Sequence, residues 1–299
     1  MPGPTPPVDP ELASLARPGP SRGTPTLDDL RRDGAFLIEE RRASVRGPAP
    51  DVPVLVCRPA EAFGRLPVLL LPHGDGPRVG PTRQNLAYYL RLARELNAAV
   101  VAVDPRSAPD HRSPVTSEDC LTVVTWLSAC AYDLAVDAER VVLLGFGGAG
   151  TLAGGLTLRL RDRLHLRPLG QMLLSPMLDD RTGTASAARP APPCAGAPKT
   201  NEDAWAHVLG DLPGASDITP YTAPLSGLPP TYLEVGALDI LRDEVVTYAQ
   251  RIWAAGGDAE LHVWAGAFPG FDFLAPAAAL SRQARATRLD WLRRILIRD

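Results

Sequence analysis

The sequence predicts an α/β protein: a mostly parallel eight-stranded sheet with an antiparallel N-terminal hairpin, helices on both faces and a cap. Eight short apolar runs recur along the 299 residues, and each has the length of a buried strand. Helical patterns separate the later runs, which is typical of the crossovers in a parallel sheet. A short polar link joins the first two runs, which favours a hairpin. The predicted strands are 35–38, 52–57, 66–71, 98–103, 141–144, 171–174, 231–235 and 260–264.

The helical segments place apolar residues at the spacing of one helix face. Leu86, Tyr89, Leu90, Ala93 and Leu96 follow one another at intervals of three, one, three and three residues. Residues at these intervals line one side of an α-helix. We therefore expect a helix in this segment that packs on the sheet.

The composition divides the chain into three parts. Residues 1–33 form a proline-rich arm with eight prolines in residues 1–27, which we expect to lie outside the core and to contribute to the cap. Residues 34–180 and 223–299 carry the strand and helix pattern of the core. Residues 181–222 interrupt that pattern with a Pro-, Ala- and Gly-rich stretch and one short helical candidate around residues 202–209. Ligands bind beyond the carboxyl ends of parallel strands, so this insertion is expected to cap the binding crevice.

Charge and hydropathy exclude several classes of protein. A formal net charge of −3 and the absence of any block of five like charges argue against a nucleic-acid groove or a polybasic membrane patch. No run approaches 18 apolar residues, and the N-terminus lacks the pattern of a secretory signal, so we expect a cytoplasmic protein outside the membrane. The expected partner is a small, largely uncharged organic ligand.

Cysteine and histidine spacing gives no sign of a metal site. The four cysteines Cys57, Cys120, Cys130 and Cys194 show no C-x-x-C spacing, so we expect reduced thiols. The five histidines show neither H-x-H nor H-E-x-x-H spacing. We therefore predict no metal and no cofactor.

Two glycine-rich turns follow predicted strands. Residues 72–76 read PHGDG, a turn whose backbone N–H groups are suited to hold an oxyanion. Residues 145–150 read GFGGAG and lead into a helix, whose N-terminus favours negative charge. Both turns lie where a strand ends, so they are the candidate site.

The second turn also satisfies the dinucleotide-binding pattern G-x-G-x-x-G, which is weakly specific by itself. About 20 residues further on, an acidic residue would be needed to hold the ribose. Residues 164–169 contain neither Asp nor Glu, and the glycines follow a late strand rather than the first. A dinucleotide site is therefore disfavoured.

Through these turns the chain resembles the hormone-sensitive-lipase family of α/β-hydrolases, which includes the bacterial family IV esterases, over residues 36–298. Residues 71–76 (LPHGDG) resemble the family's H-G-G-G, and residues 104–111 (DPRSAPDH) resemble its D-Y-R-x-A-P-E-H. Residues 145–150 align with the nucleophile elbow G-D-S-A-G-G. The acid motif D-P-L-x-D-E matches DILRDE at 239–244, and G-x-F-H-G-F matches GAFPGF at 266–271. The resemblance implies the α/β-hydrolase fold.

The resemblance also implies a catalytic triad that has lost two of its members. Gly147 stands where the family has its nucleophilic serine, and Pro269 stands where it has the base histidine. Acyl transfer by a triad needs an oxygen nucleophile and an imidazole, and these residues supply neither. Asp239 corresponds to the triad acid, now vestigial, or else it caps the helix that begins near Leu241. The sequence thus predicts a degenerate triad.

Residues beside the former catalytic centre are the candidate ligand-binding groups. Asp75 replaces a family glycine, so it is a candidate general acid or base, or else a loop aspartate that bonds nearby amides. Phe146 replaces a family aspartate and is expected to pack in the core. The candidate oxyanion and ligand-binding residues are His73, Gly74, Asp75, Gly76, Phe146 and Gly148.

Three hypotheses of function remain open. The first is a non-hydrolytic enzyme of cyclase, lyase or isomerase type, as in secondary metabolism, in which Asp75 moves a proton. The second is a catalytically silent pseudo-esterase that binds a ligand. The third is a weak carboxylesterase with an unrecognised nucleophile. The resemblance further suggests a homodimer through the last strand and helix.

Overall fold

The protein is described from a computed structural model that covers residues 6–15, 25–32, 34–44, 50–72, 85–107, 110–111, 114–189, 198–209 and 219–297. Eight strands form one sheet. They are β1 (Phe36–Ala43), β2 (Val52–Pro59), β3 (Leu66–Leu71), β4 (Ala99–Val103), β5 (Val136–Phe146), β6 (Gly170–Leu174), β7 (Thr231–Gly236) and β8 (Ala259–Trp264). Their order across the sheet is β1-β2-β4-β3-β5-β6-β7-β8.

The strand directions confirm the predicted sheet. β2 pairs antiparallel with both β1 and β4, whereas β3 to β8 are joined by parallel pairs. Every residue of β3, β4, β6 and β7 is buried, as expected for strands that are covered on both faces. β5 begins earlier than the apolar run predicts, because Val136 pairs with Leu66 across an irregularity in the register.

Helices cover both faces of the sheet. In the described part of the chain they are α1 (Leu27–Arg31), α2 (Leu86–Leu96), α3 (Val115–Cys130), α4 (Gly148–Arg159), α5 (Pro198–Leu209), α6 (Arg242–Ala254), α7 (Phe271–Leu274) and α8 (Ala279–Ile297). A 3-10 turn spans Ala13–Leu15, and a π-helical turn spans Leu160–Leu164. Two apolar clusters form the core. One joins the sheet to α3, α4 and α6, and the other joins it to α1, α2 and α8.

The predicted amphipathic helix is confirmed as α2. Leu86, Tyr89, Leu90 and Ala93 are buried on one face, as the spacing predicts. The helix ends at Asn97, whose backbone is left-handed with φ 45° and whose N–H donates to carbonyls of the last turn.

The expectation that the N-terminal arm lies outside the core is wrong for part of it. Leu12 is fully buried and Val8 packs beside it, in an apolar cluster with Leu238, Trp264 and Phe268. The Asp9 N–H donates to the Gly266 carbonyl at 3.0 Å. Proline content predicts an extended arm, but two apolar residues four positions apart anchor this segment on the loops after β7 and β8.

The insertion between β6 and β7 contains the expected helix. Its predicted start near residue 202 is four residues late, because α5 begins at Pro198. The boundaries of the predicted cap at 181–222 stay a prediction.

Candidate functional site

The carboxyl ends of the four neighbouring strands β5, β6, β7 and β8 lie side by side, and several candidate residues follow them. Gly147 follows β5, Ser175 follows β6, Asp239 lies in the loop after β7, and Pro269 lies in the loop after β8. The carboxyl edge of a parallel sheet is where ligands bind in α/β folds. The structure therefore brings three of the predicted residues to this edge and adds Ser175.

The turn between β5 and α4 is a sharp strand-to-helix elbow with Gly147 at its apex. Gly147 has φ 59° and ψ −124°, a conformation that is strained for residues with a side chain. Its N–H donates to the Leu174 carbonyl at 3.0 Å, and its carbonyl accepts the Gly150 N–H at 2.9 Å. A Cβ at Gly147 would meet no heavy atom within 4 Å, whereas a Cβ at Gly145 would lie 2.2 Å from the Ala149 carbonyl oxygen. The elbow is thus tight on either side of its apex and open at the apex.

The residues beside the apex take the places that the sequence predicts. Gly148 is the first residue of α4, so its N–H has no acceptor within the helix. Phe146 stacks edge-on against Phe273 with ring centroids 5.6 Å apart. Phe273 stacks in the same way on Tyr88 at 5.2 Å. Phe146 therefore packs against other aromatic rings, in keeping with the packing role expected for it.

Asp239 is buried beneath the site, with only 1 % of its surface exposed. Its Oδ1 accepts the Leu241 N–H at 3.0 Å, just before α6 begins at Arg242. This contact orders the turn before α6, but it is not a helix cap, because the N-cap residue is Leu241 and no side chain caps the helix. The contact does not depend on a histidine partner.

Pro269 lies half-buried in a loop that is hydrogen-bonded to the acid loop. The Leu238 N–H donates to the Ala267 carbonyl at 3.0 Å, and the Ala237 N–H donates to the Trp264 carbonyl at 2.8 Å. Gly270, with φ 70°, turns the chain into α7 directly after Pro269. The pyrrolidine ring has neither the donor nor the acceptor nitrogen of an imidazole. The loop is held in place, yet it carries no base.

Ser175 is a site residue that the sequence reasoning missed. Its backbone is left-handed with φ 42°, which is uncommon outside glycine, and its N–H donates to the Glu234 carbonyl at 2.7 Å. It lies between the elbow and the acid loop, because β6 lies between β5 and β7. The available signal was the Ser-Pro pair directly after a predicted strand. Strained backbone conformations of this kind cluster at functional sites.

Buried carboxylates connect the loop after β6 to the start of α6. Glu244 Oε1 accepts the Leu178 N–H at 2.8 Å, and Glu244 is 2 % exposed. Burial raises the pKa of Glu244 well above its ordinary value, and the charges of Asp179 and Asp239 raise it further. Asp179 itself forms a bidentate pair with Arg181 at 2.7 Å.

Helix α5 packs on the acid loop. Trp205 and Ala204 of α5 pack with Met177, Ile240 and Leu241 in one apolar cluster. A second contact comes from the segment before α5. There Ser186 Oγ donates to the Ile240 carbonyl at 2.8 Å, and the Ser186 N–H donates to Asp243 at 2.7 Å.

A buried ion network fixes α7, the helix that follows Pro269. Arg288 on α8 is 2 % exposed and donates to Asp272 on α7 at 2.6 Å. It also donates to both carboxylate oxygens of Glu234 on β7 and to the Tyr88 hydroxyl on α2. The Tyr232 hydroxyl donates to Glu234 as well, at 2.9 Å. One guanidinium therefore ties together four elements around the site.

Part of the predicted site lies outside the described residues. This holds for His73, Gly74, Asp75 and Gly76, and therefore for the predicted oxyanion loop. In the described part of the chain, no group of three or more His, Cys, Asp or Glu residues is arranged to hold a metal ion. The described helices include none with the length and apolarity needed to cross a membrane.

Comparison with known proteins agrees with this geometry. A family model described as alpha/beta hydrolase fold matches residues 69–273. Carboxylesterase NlhH of Mycobacterium tuberculosis is 29% identical over 256 residues, which are 81% of this chain and 78% of that protein. Ethyl acetate hydrolase of Pseudomonas putida is 30% identical over 226 residues, 72% of this chain and 70% of that protein.

Solved structures match nearly the whole chain. A bacterial heroin esterase superposes with a TM-score of 0.86 at 30% identity, and the match covers 97% of this chain and 98% of that one. EstE1, a thermostable carboxylesterase from a metagenomic library, superposes with a TM-score of 0.79 at 26% identity, over 96% and 94% of the two chains. The resemblance stated from the sequence motifs is thereby confirmed.

Proposed function

The chain belongs to the α/β-hydrolase family, and we propose that it binds a small, largely uncharged acyl compound in the family's pocket without hydrolysing it through a serine triad. The observation that carries this proposal is Gly147, which has the conformation of a nucleophile elbow and no side chain. In the serine hydrolases this apex residue supplies the attacking oxygen.

The second lost group supports the same proposal. Pro269 lies in the loop after β8, at the position that the family motif gives to the base histidine. A serine alone at the elbow would lack the imidazole that removes its proton. Asp239 corresponds to the remaining member, and the proline at position 269 supplies no imidazole. A working esterase could tolerate one substituted triad residue if another group took its place. The substitution of two triad residues favours a protein that no longer hydrolyses esters.

The framework around the elbow is retained, and this supports binding over loss of function. The elbow, the hydrogen-bonded loops after β7 and β8, and the packing of α5 on the acid loop are all present. The similar proteins are named as esterases or ester hydrolases. This similarity favours an ester or a related acyl compound as the ligand.

The hypothesis of a cyclase, lyase or isomerase gains no support from the described residues. It rests on Asp75 as the proton-transfer group, and Asp75 lies outside them. The relatives favour ester chemistry instead. We therefore place the binding role first.

A second candidate function is a weak carboxylesterase in which Ser175 supplies the nucleophile. Its left-handed backbone and its position between the elbow and the acid loop favour it. The esterase relatives favour it as well. This candidate predicts ester turnover that depends on the Ser175 hydroxyl.

Hydrolysis of p-nitrophenyl butyrate separates the two candidates. We expect the natural protein to bind this ester saturably in calorimetry and to hydrolyse it near the background rate. The Gly147→Ser/Pro269→His double variant should gain at least about 100-fold in rate, whereas Gly147→Ser alone should stay near the natural protein. The single variant is the matched control, because it adds the nucleophile without the base.

Three outcomes would contradict the binding proposal. Robust turnover by the natural protein that disappears in Ser175→Ala would establish the second candidate. Robust turnover that survives in Ser175→Ala, or no saturable binding of the ester, would overturn both.

A further inference from the structure

The cap helix α5 turns two hydrogen-bond donors toward the protein interior. Asn201 and Trp205 are 5 % and 3 % exposed, and they lie four residues apart on one face of the helix. Ala204 lies between them on the same face, whereas Glu202 and Ala206 are exposed. The face that carries Asn201 and Trp205 is therefore the one that packs on the rest of the protein.

Both donors are unsatisfied in this structure. Asn201 Nδ2 and Trp205 Nε1 are inaccessible to solvent and have no hydrogen-bond partner in the part of the chain that the structure describes. A buried N–H without an acceptor is costly, and most such groups in native proteins have a partner. Two of them on one helix face call for an acceptor that a bound molecule would supply.

The two donors lie next to the candidate site. Trp205 packs against Met177 and against Ile240 and Leu241, the two residues that follow Asp239. The Met177 N–H lies 3.4 Å from the Gly147 carbonyl oxygen. Trp205 therefore packs against both the segment after β6 and the acid loop, and Asn201 lies one turn earlier on the same face of α5.

From this placement, and resting on the binding function proposed above, we propose that Asn201 and Trp205 hydrogen-bond the carbonyl oxygen of a neutral ligand. An amide NH₂ and an indole N–H are both neutral donors, so together they suit an oxygen acceptor that carries no formal charge.

The carboxylate beside α5 favours a neutral ligand. Asp239 is 1 % exposed, whereas Asp179 is neutralised by its pair with Arg181 and burial favours the protonated form of Glu244. Asp239 adjoins Ile240, which packs against Trp205. A ligand carboxylate would be repelled at this place, whereas an ester, ketone or lactone carbonyl would not.

The test compares two ligands that differ by one oxygen. Butyrophenone carries a carbonyl that no esterase can hydrolyse, and butylbenzene has the same skeleton with a methylene in its place. Calorimetry on the natural protein should show butyrophenone binding at least about fivefold more tightly, the worth of one net hydrogen bond. The anion 4-phenylbutyrate should bind more weakly than butyrophenone.

Variants assign the preference to the two donors. Asn201→Leu and Trp205→Phe each remove one N–H while keeping an apolar side chain, so each should lower the preference for butyrophenone, and the double variant should abolish it. Butylbenzene binding should not weaken. Trp253→Phe is the matched control, since it removes the same indole N–H on the half-exposed face of α6 and should keep the full preference.

The results that would overturn the inference are distinct from those that concern the proposed function. An equal affinity of the natural protein for the two ligands, no binding of butyrophenone, or a preference that survives in the double variant would each overturn it. Tighter binding of 4-phenylbutyrate would overturn the neutral-ligand part. Should a variant fail to fold, the ligand comparison on the natural protein still decides. Ester turnover would refute the silent pocket without affecting the ketone result.

Discussion

The glycine at position 147 differs from its neighbour at 145 in what a side chain would meet. At Gly147 a Cβ would enter open space, and the penalty is the backbone conformation alone. At Gly145 a Cβ would collide with the backbone of α4. Gly145 is therefore required by the fold, whereas Gly147 is a position at which the fold tolerates a side chain.

These two glycines give a prediction on stability. Gly147→Ala should lower the free energy of unfolding by about 1–2 kcal/mol, the strain of a left-handed residue. Gly145→Ala should lower it by about 3 kcal/mol or more, because the neighbouring backbone must move. Urea unfolding of both variants measures the difference. Equal losses would contradict the elbow geometry described for this turn.

The buried carboxyl of Glu244 gives a second prediction, on pH. Its pKa is raised in the folded protein, so the folded state favours the protonated form. The stability that this group contributes is fully present below its ordinary pKa and is lost as pH rises through the folded pKa. Glu244→Gln keeps an oxygen for the Leu178 N–H and removes the titration.

We therefore expect Glu244→Gln to melt at a higher temperature than the natural protein at pH 8, with a smaller difference at pH 5. Asp258→Asn, on an exposed carboxyl, serves as the control for replacing an acid by its amide. A difference that grows toward low pH would contradict the raised pKa.

Among the elements of the fold, α7 depends on a partner that is remote in sequence. Asp272 on α7 is bonded to Arg288 on α8, and Arg288 also holds Glu234 on β7. Replacing Arg288 leaves two buried carboxylates without their common counterion. That arrangement costs far more than the loss of an exposed ion pair.

Arg288→Met should accordingly lower the free energy of unfolding by about 3–5 kcal/mol. Arg293 lies on the same helix as Arg288 and forms exposed pairs with Glu95 on α2 and Asp290 on α8. Arg293→Met breaks these pairs and should change the free energy of unfolding by at most about 0.5 kcal/mol. Chemical denaturation of the two variants provides the measurement. A small loss for Arg288→Met would show that the network does not stabilise α7.

Local sequence signals predict some features of this fold, whereas features that depend on distant contacts are not predictable from them. Strands, the antiparallel hairpin and the elbow follow from apolar runs and from glycine spacing, which are local signals. Arg288 is 200 residues from its partner Tyr88. It lies in a helix rich in charged residues, and no local sequence pattern indicates that this one arginine is buried. The backbone strain at Ser175 is also set by tertiary contacts, so sequence spacing does not report it.

At the scale of the whole molecule, the N-terminal segment packs on the loops that follow β7 and β8 at the candidate site. Leu12 is buried among residues of the loops after β7 and β8, and these loops carry Asp239 and Pro269. The Asp9 N–H and the Glu11 carboxylate add bonds to Gly266 and to the start of α8. Residues 8–12 thus contact the loops that carry Asp239 and Pro269.

Leu12→Ala should lower the free energy of unfolding by about 2–5 kcal/mol, because it leaves a cavity in that cluster. It should also speed hydrogen exchange at the amides of Ala237 and Leu238, whose bonds join the two loops. Leu37→Ala, on a half-exposed side chain of β1, is the control and should leave exchange at those amides unchanged. If the two variants behaved alike, the segment would lie on the site without supporting it. Faster exchange confined to Leu12→Ala would instead show that the N-terminal segment holds together the two loops that carry Asp239 and Pro269.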